Sequence, residues 1–430
     1  MTAAGTGPAP KFLFLARHTN DVDHIAPVIW GLLRSGTPAS AIRYVATAPE
    51  PSLSPDTDPR LLLLAGLGVE LETPHACGWR RTLLRWSCAT GSRRINRIFR
   101  KFLFRKALDT ESATKRCIHC VLDIVADMPR GGVIVADHWS GPDAKAVTDA
   151  ARERGLTSAA LPHGFQLHFG FDDEEFGRAL RPPDRTPLTA LYDWVAYANV
   201  WARENEHPGD MSHKLVFGSA RFCPEWMKEL RALYPHTGRL PEDGRPKVLL
   251  ILEKGGLTVG GKHYEFLNID EQFKALDHLA GRRDITLRIK GNARGLSHRQ
   301  GKMLRPYLRF VVDDAIPTPE LVTWADIVVG TCSSVLMDPF VRRKPLLLLR
   351  HAARLRMSFD RLGGIRSAEG HRAFIHLLEK LVEEPDGKLY DEKAADVERF
   401  FVFGGHPPRD VTEAYARFLT DLAEGGTDNP

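Results

Sequence analysis

No apolar run in the chain approaches the ~20 residues that a membrane-crossing helix needs. Cysteine is scarce, six irregularly spaced residues in 430, which excludes the disulfide framework of small secreted domains. Cys117 and Cys120 form a C-x-x-C pair, but no second pair stands at zinc-site spacing. Both read as core or boundary thiols. The opening residues carry no basic n-region, and FLFLA (12–16) is too short for a signal-peptide core. Residues 1–10 read as a loose lead-in, and a cytoplasmic location is expected. Internal repeats and low-complexity tracts are absent too. Acidic residues are missing from one long stretch: Trp79 to Lys106 holds ten Lys or Arg and no Asp or Glu. The formal net charge is +5, so the rest of the chain sums to about −5 (5 minus 10). The basicity is a local patch and not a nucleic-acid-like surface.

What the chain does have is length for two domains and a repeating rhythm. A short apolar run, a turn and an amphipathic stretch follow one another. FLFLA (12–16), IRYVATA (42–48), VIVAD (133–137), TSAAL (157–161), WVAYA (194–198) and KLVFG (214–218) read as buried strands. HTGRLPEDGRP (236–246) is rich in Pro, Gly and charge and reads as a linker. The rhythm restarts with KVLLIL (247–252), ITLRIK (285–290), RFVV (309–312), IVVGT (327–331) and PLLLL (345–349). Such alternation predicts an α/β protein with parallel sheets and helices on both faces. The expected division is an N-terminal Rossmann-like domain over 1–235, the linker, and a C-terminal domain over 247–408. A last helical segment over 409–430 is expected to pack back on the first domain, and a further helix is expected near 371–384. Two doubly wound domains facing a central cleft would put the carboxyl ends of both sheets where ligands of such sheets bind.

Several segments carry possible chemistry. Gly330-Thr331-Cys332-Ser333-Ser334 follows a buried strand and precedes a helical pattern. Hydroxyls, backbone N–H groups and a helix dipole converge there, which suits an anion; a plain Ser333 N-cap is the simpler reading. Arg17-His18-Thr19-Asn20-Asp21-Val22-Asp23-His24 follows the first strand. Asp21 or His18 is a candidate base there, and helix capping by Asn20, Asp21 or Asp23 is the alternative. Asp137-His138 ends another strand and is a weaker candidate. Gly256 to Lys262 matches G-x-x-x-x-G-K, but His263 stands where a P-loop needs Ser or Thr. Gly255 and Gly256 are therefore expected in a flexible loop whose backbone approaches phosphate or acceptor. Arg94 to Lys106 reads as a basic amphipathic helix. It would suit an anionic membrane surface, at about 1 kcal/mol per basic residue. An ordinary domain helix and RNA binding are the other readings. Docking to membrane or to an anionic acceptor is preferred, which would make the protein peripheral on the inner face of the cell membrane.

The segment Pro319 to Pro345 resembles the donor-binding region of GT-B-fold transferases that build bacterial surface polymers. These include the CDP-glycerol glycerophosphotransferases of teichoic acid synthesis and the capsule-type Kdo and sialic acid transferases. The residues carrying the likeness are Ala325-Asp326, Thr331, Ser333-Ser334, Asp338 and Lys344-Pro345. A His-Gly turn after a first-domain strand fits at Leu161-Pro162-His163-Gly164-Phe165-Gln166. The family's Lys-x-His-Pro-Arg strand end is matched at Lys290 and Arg294, with Asn292-Ala293 in place of His-Pro.

The resemblance implies a capsule- or polysaccharide-type glycosyltransferase, or a polyol-phosphate transferase, in surface glycopolymer biosynthesis. It would use a nucleotide-sugar or CDP-polyol donor and a sugar, polyol or lipid-linked glycan acceptor, with no cofactor, no metal and no nucleic acid partner. His163, at an ordinary pKa near 6.5, would act as the base. Ser333, Ser334, Thr331, Lys290, Asn292, Arg294, Gly255 and Gly256 would hold the donor, and Glu320 and Asp338 would hold the ribose or fix the Ser-Ser turn. A non-hydrolysing nucleotide-sugar 2-epimerase and a non-catalytic nucleotide-binding protein are the alternatives.

Overall fold

The computed structural model describes residues 9–48, 53–55, 58–73, 110–163, 187–206, 213–234, 240–259, 262–265, 267–291, 296–312, 316–331, 333–354, 362–384, 390 and 392–425. The chain divides into two compact units. One holds Met1–Gly164, Thr186–Trp226 and Arg409–Pro430, and Met227–Pro408 belongs to the other. The basic stretch 79–106, Gly164, Asn292, Arg294 and Cys332 lie outside the described residues.

In the first unit β1 (Phe12–Ala16), β2 (Ile42–Ala46), β3 (Glu70–Glu72), β4 (Val133–Asp137), β5 (Thr157–Leu161), β6 (Trp194–Tyr197) and β7 (Lys214–Val216) form one sheet. Its order is β3-β2-β1-β4-β5-β6-β7, with every pair parallel. β1 and β4 are buried at every residue, as strands covered by helices on both faces must be. Strand order reverses between β1 and β4, the switch point where α/β sheets bind ligands. After β1 comes α1 (Thr19–Arg34), and α2 (Pro59–Gly66) starts on an Asp58 cap that accepts from the Arg60 N–H. α3 (Thr110–Asp127) carries Cys117 and Cys120, both free thiols. α4 (Pro142–Glu153) joins β4 to β5, and α5 (Leu188–Leu191) precedes β6.

β3 reads Glu-Leu-Glu and escaped the hydrophobic pattern. Arg43 of β2 holds it by ion pairs to Glu70 (2.6 Å) and Glu72 (3.5 Å). α6 (Val200–Glu206) and α7 (Pro224–Leu233) complete this half, with the division between units falling inside α7.

The second unit has a parallel sheet of β8 (Lys247–Ile251), β11 (Thr286–Lys290), β12 (Ile327–Gly330) and β13 (Leu346–Leu348) in the order β11-β8-β12-β13. α8 (Ile269–Gly281), α9 (His298–Met303), α10 (Thr318–Trp324), α11 (Met337–Val341), α12 (His371–Glu383) and α13 (Ala394–Val402) are its helices in chain order. Two expectations fail here. Arg309 and Phe310 of the anticipated RFVV strand (309–312) end a 3-10 helix over Arg305–Phe310, and of that strand only Val311 bridges the sheet, at Ile289. Leu304, Tyr307, Phe310 and Val311 all pack on the core, and spacings of three and four residues suit a helical turn. The glycine loop is an antiparallel hairpin of β9 (Gly256–Val259) and β10 (Lys262–Glu265). A Cβ on Gly256 would lie 2.5 Å from the Tyr264 carbonyl oxygen, so the close strand pairing itself requires glycine there.

The last helix, α14 (Val411–Ala423), returns to the first unit. Asp410 caps it by accepting from the Glu413 N–H at 3.0 Å and pairs with Arg34 of α1 at 2.8 Å. Gly31 of α1 lets the Thr412 backbone approach so closely that a Cβ would stand 2.5 Å from its oxygen. Tyr415 donates to the Gly218 carbonyl at 3.0 Å.

Candidate functional site

Because β1, β4 and β5 are neighbours, the segments leaving their carboxyl ends meet. They bring together Asp21 in the first turn of α1, Asp137 as the last residue of β4, and His163 just beyond β5. Asp21 and Asp137 are buried, at 0% and 1% exposure. The His163 Nδ1–H donates to Asp137 Oδ2 at 2.7 Å. A carboxylate only accepts, so the ring's Nε2 is left as the basic atom. Asp21 Oδ2 accepts from the Arg17 and His18 backbone N–H groups, at 2.7 and 3.2 Å. The second oxygen of each aspartate, Oδ1, is buried and has no hydrogen-bond partner.

Electrostatics sort these groups. Burial, followed by the nearby Asp137 charge, pushes the Asp21 carboxyl up to about 7 against the pull of Arg17. Burial also opposes charge on Asp137, but His163 outweighs it and holds that carboxyl below the usual range. Burial opposes charge on His163 likewise, and Asp137 outweighs it, so the imidazole keeps its proton to a higher pH than usual. His24, one turn along α1, is 5% exposed, and its burial drives it down to about 3. It is a neutral ring, 6.3 Å from that of His163 between centroids.

His18 is not part of this cluster; it is exposed at the N-cap of α1. The structure therefore joins both readings of the first loop: Asp21 caps the helix with one oxygen and enters the cluster with the other. The expectation of a metal-free site took the sequence to hold no Asp-x-Asp motif, but Asp21-Val22-Asp23 is an Asp-x-Asp pair of the sort that can bind a cation. In the structure Asp23 turns to Arg60 and Arg221, the latter at 2.8 Å, while Asp21 turns to Asp137.

In the second unit Thr331 follows β12, and its buried Oγ1 has no hydrogen-bond partner. Ser333 sits at the N-cap of a 3-10 turn, Ser334–Leu336, without a side-chain capping bond, and α11 continues the turn. Lys290 ends β11 and donates to the Ile316 carbonyl at 3.1 Å. Asp338 pairs with Arg342, and Glu320 is buried in α10. The remaining pieces of the sequence pattern fasten the backbone. Asp326 Oδ2 accepts from the Lys247 N–H at 2.9 Å. Lys344 donates to the last carbonyls of α10, Thr323 at 2.8 Å and Ala325 at 2.5 Å, and its burial lowers it to about 8. The expectation that the Gly255 backbone is free for a ligand does not hold. Its N–H points to Gln300 Oε1 at 3.3 Å, and Ile269 fills the space of a Cβ. Gln300, itself fully buried, also donates to the Glu253 carbonyl at 2.8 Å and so pins this loop.

No family model matches the sequence, and no curated protein matches it either. Solved structures do. A UDP-N-acetylglucosamine 2-epimerase is similar over 98% of each chain, at 11% identity and a TM-score of 0.57. The UDP-GlcNAc 2-epimerase from Neisseria meningitidis, bound to UDP-GlcNAc, is similar over 96% of this chain and 99% of its own, at 13% identity and a TM-score of 0.52. The wall teichoic acid polymerase TagF is similar over 98% of this chain and 91% of its own, at 14% identity and a TM-score of 0.50. The fold is thus the GT-B fold, two Rossmann-like domains in one chain. Identities this low carry the fold and not the reaction.

Proposed function

We propose that the protein is an enzyme acting on a nucleotide-activated sugar or polyol, and specifically a metal-independent transferase in surface glycopolymer synthesis. The observation that carries this reading is the buried Asp137 bonded at 2.7 Å to His163, at the switch point of the first sheet. Asp137 fixes the Nδ1–H tautomer and stabilises the imidazolium that forms when Nε2 takes a proton from an acceptor hydroxyl. The Asp21 carboxyl, pushed up to about 7, keeps its proton in part of the molecules at neutral pH, which lessens the negative charge beside the approaching alkoxide. In the second unit the Thr331, Ser333 and Ser334 hydroxyls, with Lys290 and, from the sequence pattern, Asn292 and Arg294, would take the diphosphate and stabilise the leaving phosphate. Glu320 and Asp338 are assigned to the ribose or to the Ser-Ser turn. Neighbours that bind UDP-GlcNAc or polymerise teichoic acid support a donor of this class.

A 2-epimerase is the second reading, favoured by the epimerases among the similar structures. Asp21 and the Asp137-paired His163 are two neighbouring titrating groups, as proton exchange at a sugar carbon needs for its acid and base. One incubation separates the two. With a nucleotide-sugar or CDP-polyol panel, a transferase yields free nucleotide only when an acceptor is added, and His163→Ala abolishes the yield. Conversion of the nucleotide-sugar with no acceptor present would favour the epimerase. Donor binding with neither outcome would leave a non-catalytic nucleotide-binding protein.

A further inference from the structure

We propose that Asp21, Asp137 and His163, with His24 behind them, form a site for one divalent cation of the zinc class. One ligand atom from each of the first three lies within 4.8 Å of the others. Each carboxylate is half committed to the protein. Asp21 Oδ2 takes the Arg17 and His18 N–H groups, and Asp137 Oδ2 takes His163. Their Oδ1 atoms are buried, and with both carboxyls ionised no donor reaches either. Two such oxygens in one buried cluster repel each other and call for a proton or a cation. The nearest guanidinium, Arg17, lies 3.7 Å from Asp21 Oδ2, the oxygen already occupied by backbone.

A separate observation points the same way. His24 is 5% exposed, and its Nε2 is also buried without a partner. The cluster thus offers two carboxylates and the imidazole of His163, whose ring lies 6.3 Å from that of His24 between centroids. Mixed oxygen and imidazole ligands suit zinc-class ions, whereas magnesium and calcium prefer oxygen alone. Metal–ligand distances of about 2.0–2.2 Å require the cluster to close slightly on the ion. Bound there, the ion draws on the Asp137 charge and on a ring nitrogen of His163. On the transfer reading above it therefore acts as a brake and not as a cofactor.

The test uses the full chain, stripped with a chelator and titrated with zinc chloride in a calorimeter, with no nucleotide present. One equivalent should bind. Asp137→Asn should weaken binding at least about tenfold, and Cys223→Ser should leave it unchanged. Absence of saturable binding, or full affinity in Asp137→Asn, overturns the proposal. A spectrum of the cobalt-loaded wild-type chain keeps the test independent of how the variant folds. Ligand-field bands without thiolate charge transfer are expected. A thiolate band would put the ion at a cysteine, as in the set Cys223, Glu225 and Asp410, the other candidate set among the described residues, and would overturn the assignment. Failure of zinc binding leaves the transfer reading standing, because donor turnover is measured separately.

Discussion

At the residue scale, the cluster makes two predictions whose signs follow from its charges. The His163 pKa is raised by Asp137, so the base is free only above the ordinary histidine value. The acid limb of kcat/KM should therefore lie above pH 6.5. Asp137→Asn removes the charge that raises it, so the limb should move to lower pH while the rate falls; a limb that stays in place would contradict the pairing. Asp21 is raised from 3.8 to about 7. Its neutral form is favoured on folding, so the stability it contributes is full below about pH 4 and is lost as pH rises to about 7. Asp21→Asn supplies a neutral side chain that can still accept the Arg17 and His18 N–H groups and can donate to Asp137. Denaturant unfolding at pH 8 should show it roughly 1–3 kcal/mol more stable than the parent, and the difference should vanish near pH 4. Asp21 and His163 were legible as polar residues after buried strands. Asp137 ranked lower, and its partnership was not legible. What pairs it with His163 is the adjacency of β4 and β5, which no spacing along the chain records.

At the element scale, hydrophobic rhythm located the buried strands to within a residue or two, because strands covered on both faces read as continuous apolar runs. It failed where other forces set the structure. β3 is held by Arg43 ion pairs. Leu304, Tyr307 and Phe310 bury one face of a helical turn instead of a strand. α13 was overlooked although Ala394, Val397 and Phe401 are buried at helical spacing. The glycines of 255–263 announce a phosphate loop by composition, yet two of them serve packing. Packing also explains Gly31, where α1 meets α14. Gly31→Ala would press a methyl group onto the Thr412 backbone and should cost about 1–3 kcal/mol, read from the denaturant midpoint. An unchanged midpoint would contradict this contact.

At the scale of the whole molecule, the restart of the βα rhythm after the linker announced two α/β units, and the GT-B resemblance announced their fold. The chain's return through α14 rests on Asp410, Thr412 and Tyr415 finding α1 and Gly218, contacts separated by 376 residues at Arg34–Asp410 and by 197 at Gly218–Tyr415. Among the described residues no helix is long and apolar enough to cross a membrane. The reading of 79–106 as a membrane-docking segment remains a proposal, testable by sedimentation with anionic vesicles, which should retain the protein at low salt and release it at high salt.

The central claim is that the second unit grips a nucleoside diphosphate at Thr331, Ser333 and Ser334. Calorimetric titration of the whole chain with UDP, CDP, GDP and CMP tests it most directly. At least one diphosphate should bind at a single site, and Ser333→Ala with Ser334→Ala should abolish that binding while leaving thermal unfolding of the free chain unchanged. Binding of none of the three diphosphates, or full affinity in the double variant, would contradict the account.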